Sequence, residues 1–336
     1  MQPREDLLLY LDCNRDRYVS TDELMTRFSL TRTELWHHLR SLRSGGYRIL
    51  SEHGEGYRLA DECELYTSHA LQARLKGAAT EYTLDVRPSM PSTNAALREM
   101  AKDGAPHGTV LIANKQSAGY GRKQRVFFSP NGGIYMSLLL RPGLDAASAL
   151  KLTTTAAVAV VDVIRDLTGQ NAQIKWVNDI YLNEKKVCGI LTESALRPDG
   201  TLEYAVLGIG INIYTPKMGF PKNIRAIAGA VYPENTTLCG QRSAFLIALL
   251  ERLAALLPEC CSPSVHAAYC QFSYLLGRTV NVIRDDGHEE MAAVYGIDDQ
   301  YRLLVRYPDG RCEALFSGEV SVRESSSDVS RRAGKM

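Results

Sequence analysis

Residues 115–138 read KQSAGYGRKQRVFFSPNGGIYMSL, and the reading of this stretch organises the rest of the chain. Gly119 and Gly121 bracket Tyr120, and Arg122, Lys123 and Arg125 follow. Glycines let the backbone approach a ligand and turn N–H groups towards it, while guanidinium groups on a polar segment supply charge for phosphate oxygens. The segment fits an anion clamp that closes over a nucleotide, and equally an ordinary basic surface loop. It is not a P-loop, because no Gly-Lys-Ser/Thr follows, and it lacks the GxGxxG of a dinucleotide site. The IYMSLLL that ends it, at 134–140, is an apolar strand.

Working outward, a strand near 109–114 precedes the loop. A helix over 152–167, strands near 173–182, 187–194 and 203–213, and a helix over 243–257 follow. Helices mixed with closely spaced strands predict an α/β domain on a mixed sheet. Read as one strand, QIKWVNDIYL at 173–182 puts Lys175, Val177 and Asp179 on one face and Trp176 and Asn178 on the other. A lysine among apolar neighbours calls for an anion, which a ligand or Asp179 would supply. LGIGINI at 207–213 removes side chains at Gly208 and Gly210, either for the approach of a ligand or for a sheet bend. Ser92, Thr93 and Asn94 stand directly before a helical pattern, as N-caps or as a hydroxyl-rich end for a polar ligand head.

The chain ends differ from this centre. In residues 1–60, a first apolar helix around Leu7–Leu11 precedes two capping-box patterns, Ser20 with Glu23 and Thr31 with Glu34. The second of these helices carries Leu35, Leu39 and Leu42 on one face, and two short strands follow, which together predict a winged helix-turn-helix. Nine Arg and nine acids make this unit neutral. Over 27–58, however, six Arg against three acids leave +3 on the recognition helix and wing. Arginine makes forked contacts to phosphate and guanine, so Arg32, Arg40, Arg43 and Arg58 are the DNA-binding candidates, unless the motif serves protein contact. A polar connector is expected over 61–80. Short strands from about 275 to 323, punctuated by DDG and PDG turns, predict a small β-barrel, and the polar residues after it predict a disordered tail.

Composition bounds the function. With 336 residues, 45% hydrophobic and 23% charged, the chain is globular and of two or three domains. A net charge of +1 gives no global field for nucleic acid or membrane, so such contacts must be local. Apolar runs fall far short of the ~20 residues that span a bilayer, and MQPREDLLLYLD makes a poor signal peptide. Eight cysteines without CxxC or Cys/His spacing predict reduced thiols in the cytoplasm.

Taken in order, STN at 92–94, QxAGxGR from Gln116 to Arg122, KWVND at 175–179, KVCGIL at 186–191 and GIGIN at 208–212 resemble the catalytic domain of biotin–protein ligases. With the winged helix in front and the GID…LLV…SGEVSVR barrel behind, nearly the whole chain is similar to the bifunctional biotin ligase and biotin operon repressor of bacteria. The resemblance implies a class II aminoacyl-tRNA synthetase-like mixed sheet between a winged helix and an SH3-like barrel. The implied domains are 1–64, 80–272 and 273–323, with a disordered tail at 324–336. It implies two steps: biotin and MgATP give biotinyl-5′-AMP, and a lysine of the biotin carboxyl carrier protein of acetyl-CoA carboxylase then takes the biotin.

Residue by residue, the resemblance gives Lys175 and Arg122 the catalytic charge. It places Ser92, Thr93, Asn94, Gln116, Gly119, Tyr120, Lys175, Gly189, Gly208, Gly210 and Ile211 around biotin. Gly121, Arg122, Lys123, Arg125, Trp176, Asn178 and Asn212 fall around the nucleotide, and Asp179 is a candidate for magnesium. Biotinyl-AMP as co-repressor, a homodimer when it is bound, operator DNA as partner and no membrane complete the expectation. Many family members carry GRGRxGR where this chain has GYGRKQR, so Tyr120 and Gln124 replace an arginine and a glycine. A lipoate–protein ligase-like enzyme, or a biotin ligase without repressor activity, is the alternative.

Overall fold

The computed structural model of the protein describes residues 3–44, 47–60, 63–232, 240–284, 286–316 and 320–324. Of the tail expected at 324–336, Glu324 ends the last strand and the rest lies outside the described residues, as do Cys239, the turn glycines Gly45 and Gly46, and Ser317–Glu319 of the terminal motif.

A winged helix opens the chain: α1 (Pro3–Cys13), α2 (Thr21–Phe28), α3 (Arg32–Ser44) and the antiparallel hairpin of β1 (Ile49–Glu52) and β2 (Gly56–Leu59). The Thr31 capping box closes in both directions. The Thr31 N–H donates to the Glu34 carboxylate at 2.8 Å, and the Glu34 N–H donates to Thr31 Oγ1 at 3.3 Å. The Ser20 box is half-made: Ser20 Oγ accepts from the Glu23 N–H at 3.2 Å, but the Glu23 carboxylate turns to Tyr10 and Arg17. Leu35, Leu39 and Leu42 meet Leu7, Leu11 and Leu24 in the core, each contributing about 1.5–3 kcal/mol by leaving water.

The segment expected to be a polar connector is packed. It holds α4 (Ser68–Gln72), and Leu65, Tyr66, Leu71, Leu75 and Ala79 are buried. Alternation with polar residues hid a run of inward-facing side chains. Leu65 and Ala70 belong to the winged-helix core, and Tyr66 and Leu71 to the central one.

The central elements are β3 (Thr83–Arg87), α5 (Thr93–Lys102), β4 (Thr109–Ala113), β5 (Ile134–Leu140), α6 (Ala149–Thr168), β6 (Gln173–Lys175), β7 (Asp179–Leu182), β8 (Lys185–Leu196), β9 (Leu202–Ile211), α7 (Gln241–Leu256) and α8 (Pro263–Gln271). Seven strands form one mixed sheet in the order β3-β4-β5-β9-β8-β7-β6, parallel between β3 and β4 and antiparallel elsewhere. Helix α6 packs on one face with α7 and α8 outside it, and α5 covers the other through Leu97 and Ala101. Strands β4 and β5 are buried at every residue, which is why they read as apolar runs, with only Thr109 and Ser137 polar.

The expected single strand over 173–182 is a hairpin instead. Lys175 faces Asp179 across it, and Trp176–Asn178 form the turn. Tertiary contacts hold that turn: the Trp176 indole N–H donates to the Tyr301 carbonyl at 2.8 Å, and the Tyr269 hydroxyl donates to the Val177 carbonyl at 2.9 Å. Strict face alternation across 175–179 therefore fails.

The last unit is a five-stranded antiparallel sheet of β10 (Thr279–Arg284), β11 (Glu289–Ile297), β12 (Leu303–Arg306), β13 (Cys312–Leu315) and β14 (Val320–Glu324), in the order β13-β12-β11-β10-β14. Its buried residues, Val280 to Leu315, join the same apolar cluster as the central sheet.

Candidate functional site

Helix α5 begins over the centre of the sheet, and the 116–128 loop folds back across β8 and β9. Between them opens a cavity of about 720 Å³. Every residue assigned above to biotin, nucleotide or magnesium lines it except Gly119 and Ile211. Ile211 is fully buried in the core and is not part of the lining. Gly119 lies behind the lining, because a Cβ there would come within 2.7 Å of Ser129 Oγ and 2.9 Å of Gln116 Nε2.

One end of the cavity is an uncharged hydrogen-bonding cradle. The Thr93 N–H donates to Gln116 Oε1 at 2.8 Å, and Gln116 Nε2 donates to Ser129 Oγ at 3.1 Å. The Ser137 hydroxyl donates to Asn94 Oδ1 at 2.6 Å and lies 2.8 Å from Thr93 Oγ1. Ser92 Oγ caps α5 by accepting from the Ala95 N–H at 3.4 Å, so the N-cap reading of this residue holds alongside its place on the cavity wall. Two glycines make the cradle possible. A Cβ on Gly208 would stand 2.0 Å from Asn94 Oδ1, and one on Gly210 would stand 2.6 Å from the Phe127 ring. The missing side chains of GIGIN thus admit Asn94 and Phe127 from above the sheet.

The other end is cationic. Burial lowers the Arg122 pKa, as does neighbouring Arg125, while Asp179 works the other way. A cation that is partly stripped of water beside another cation favours an anionic ligand. Lys175 Nζ lies 3.4 Å from the Tyr181 hydroxyl and 5.0 Å from the centre of its ring. Asp179, offered by the sequence as the partner of Lys175, forms an ion pair with Lys186 at 2.6 Å.

Asn178 and Asn212 line the cavity while bracing backbone: Asn178 Nδ2 donates to the Ile190 carbonyl at 2.5 Å and Asn212 Nδ2 to the Gly229 carbonyl at 2.9 Å. Trp176 lines the cavity and donates its N–H to the Tyr301 carbonyl in the β11–β12 connection. Among the described residues no group of three or more His, Cys, Asp or Glu could hold a metal ion.

Sequence reasoning missed Ser129, Ser137, Phe127, Lys186 and Glu193, and the Phe220–Ala228 segment that closes one wall. Glu193 left a faint signal as an acid in the apolar strand GILTESAL. Lys186 stood at the head of the KVCGIL motif with no role attached, and Ser137 left no signal, since its partners Thr93 and Asn94 lie more than forty residues away.

On the winged helix, Arg32 and Arg40 lie exposed on α3, and Arg40 stacks 5.2 Å from the Trp36 ring, which is itself 50% exposed. Arg43 and Arg58 have architectural bonds. The Arg43 guanidinium donates to the Ile49 carbonyl at 2.9 and 3.1 Å, holding the start of the wing, and Arg58 donates to the Arg15 carbonyl at 3.0 Å. Among the described residues no helix is long and apolar enough to cross a membrane, and the cysteines are free.

Comparison with known proteins agrees with this geometry. Residues 86–212 match the biotin/lipoate A/B protein ligase family, and residues 3–58 match an HTH domain. The bifunctional ligase/repressor BirA of Bacillus subtilis is 35% identical over 226 residues, covering 67% of this chain and 69% of that protein. Its counterpart in Bacillus spizizenii is 31% identical over 324 residues, covering 95% and 98%. The biotin protein ligase from Aquifex aeolicus in complex with biotin and ATP aligns with a TM-score of 0.61 at 27% identity, over 72% of this chain and 99% of that one. A cavity with one neutral and one cationic end, behind an HTH unit and matched almost end to end by proteins that join the same two parts, makes this chain a member of the bifunctional biotin ligase/repressor family.

Proposed function

We propose that the protein joins biotin to ATP as biotinyl-5′-AMP, transfers the biotin to a lysine of a biotin carboxyl carrier protein, and represses transcription through its winged helix. One observation carries the ligase reading: a cavity large enough for both substrates has a neutral cradle at Thr93, Asn94 and Gln116 and a desolvated cation at Arg122. A cyclic urea can both donate and accept hydrogen bonds in such a cradle, whereas the dithiolane of lipoate cannot, so the polar end favours biotin over lipoate.

In the first step a biotin carboxylate oxygen attacks the α-phosphorus, and the bond to the β-phosphate breaks to release pyrophosphate. Two anions must meet, so Lys175 and Arg122 contribute by neutralising charge and holding the reacting groups in place. In the second step the acceptor amine attacks the acyl carbon, and AMP leaves. The only carboxylate assigned to magnesium, Asp179, is held by Lys186, and a metal that keeps its waters and rides on the triphosphate suits this lining.

The repressor reading rests on Arg32 and Arg40 on the open face of α3, with Arg43 and Arg58 bracing the wing. We assign residues 1–64 to operator DNA, 80–272 to ligation and 273–323 to a docked C-terminal sheet. Adenylate binding is proposed to favour a homodimer that presents two winged helices to operator half-sites. Free thiols suit a reducing cytoplasm.

Incubation with ATP, magnesium and biotin is expected to leave biotinyl-AMP bound to the protein, and its absence would refute the ligase reading. Lipoate in place of biotin is expected to give no adenylate. Sedimentation with and without biotinyl-AMP is expected to show a rise from monomer to dimer, and an unchanged mass at micromolar protein would refute the dimer.

A further inference from the structure

Glu193 has no place in the sequence-based assignment, yet three parts of the site meet on it. Its Oε2 accepts from Asn94 Nδ2 at 3.0 Å and from the Tyr120 hydroxyl at 2.8 Å, and its Oε1 accepts from the Arg98 guanidinium at 2.8 Å. Glu193 stands on β8, Asn94 and Arg98 stand one turn apart on α5, and Tyr120 belongs to the loop that covers the cavity. Its side chain is only 20% exposed, so the three donors do much of what water would otherwise do for the carboxylate.

The loop itself is a small hairpin. The Gly121 N–H donates to the Arg125 carbonyl at 2.8 Å, the Phe127 N–H donates to the Gly119 carbonyl at 2.9 Å, and Tyr120 pairs with Val126 between them. A unit this short moves as one piece, so a bond at its Tyr120 base sets where Arg122, near its tip, lies in the cavity. Burial and the bond to Glu193 both raise the Tyr120 pKa, so the phenol keeps its proton and remains a donor. On the other side of the hairpin, the Phe127 ring fills the space over Gly210 and Gly189.

We propose that Glu193 is a positioning residue for the ligase reaction: through Tyr120 it holds the nucleotide-covering hairpin shut, and through Asn94 it ties that hairpin to the biotin cradle. The proposal deepens the ligase reading and rests on it. A phenol–carboxylate bond thereby acts at position 120, where the family pattern places an arginine. The consequence is slow escape of biotinyl-AMP between the two half-reactions, since the hairpin must open to release it.

The test uses the full chain loaded with labelled biotin, ATP and magnesium, followed by a chase with unlabelled biotinyl-AMP. A hydrogen bond to a charged acceptor is strong enough that Tyr120→Phe is expected to speed release about tenfold or more. Glu193→Gln should add little on top of Tyr120→Phe. Tyr120→Arg should restore slow release when Glu193 is present and not when it is Gln, a dependence that a merely structural role would not produce.

Release from Tyr120→Phe within about twofold of the parent, or fully additive effects of the two substitutions, would overturn the proposal. Amide exchange at Gly121 and Phe127 without any ligand tests the tether alone. Faster exchange in Tyr120→Phe supports it and unchanged exchange overturns it, even if the parent formed no adenylate and the ligase reading failed.

Discussion

Replacing Gly208 by alanine puts a methyl group where the structure already has an amide. The added Cβ would lie 2.0 Å from Asn94 Oδ1, 2.7 Å from its Cγ and 2.8 Å from its Nδ2. Strand β9 cannot retreat, because Gly208 is paired with Ser137 of β5 on one side and Leu191 of β8 on the other. Asn94 must therefore swing away, giving up the bond from Ser137 and its own bonds to Glu193 and the Leu191 carbonyl. At about 1 kcal/mol each, three such bonds amount to about 3 kcal/mol. For a domain of this size that lowers Tm by about 6–12 °C.

Scanning calorimetry of Gly208→Ala measures that change, and titration with biotin measures the accompanying loss of affinity from the disturbed cradle. Asn94→Ala is the control. With the amide gone the methyl has nothing to strike, so the double variant should melt with Asn94→Ala rather than below it. A Gly208→Ala protein that melts with the parent, or a double variant whose losses simply add, would refute the reasoning.

Four further outcomes are expected. Lys175→Gln and Arg122→Gln should each slow adenylate formation by about 10²–10³-fold in pyrophosphate exchange, and full speed with both charges removed would end the electrostatic account. Gln124 adopts φ +56° in the left-handed region, which is unfavourable for a non-glycine residue by about 1–2 kcal/mol, so Gln124→Gly should slow amide exchange at Gly121. Glu64→Ala should destabilise the protein by about 1–3 kcal/mol in a denaturant titration, because it takes the carboxylate from Arg242, which it meets at 2.9 Å and which is only 12% exposed, and leaves that guanidinium to the Asn114 amide and the Tyr66 ring. A loss under about 1 kcal/mol would show that the pair contributes little to stability.

Hydrogen bonds from Arg17, then Tyr10, push the Glu23 carboxyl down to about 2. A folded pKa below the unfolded one stabilises at pH above about 4.5, and that contribution fades as the pH falls towards 2. Glu23→Gln should therefore flatten the fall of Tm with pH in that window. A Glu23 carboxyl resonance titrating at an ordinary value would contradict it.

The capping pairs were legible because a hydroxyl and the N–H three residues on are placed by the helix itself, as at Thr31 and Glu34. The central strands were legible because β4 and β5 are buried at every residue, and the order of short motifs was enough to point to the family. What escaped were features made by crossings of the chain. The 173–182 stretch folds into a hairpin whose turn is held from Tyr269 and Tyr301, nearly a hundred residues or more away in sequence. The connector over 61–80 packs because Leu65 and Tyr66 are covered by two different cores. Arg43 and Arg58 also brace the wing through backbone carbonyls, a role that composition does not carry.

From the sequence by itself came the kinds of elements and their order, because helix caps, periodicity and glycine positions express local backbone preference; the order of its motifs gave the family and part of the cavity wall, but not the Phe220–Ala228 segment. Only the tertiary structure decided that Asn94 fills the space left by Gly208, that Asp179 pairs with Lys186 rather than standing only as a counter-ion to Lys175, and that Glu193 gathers helix, strand and loop. The physical reason is that a buried polar group must find its partner wherever the fold brings one, and for Asn94 and Glu193 the partner stands 99 residues away along the chain.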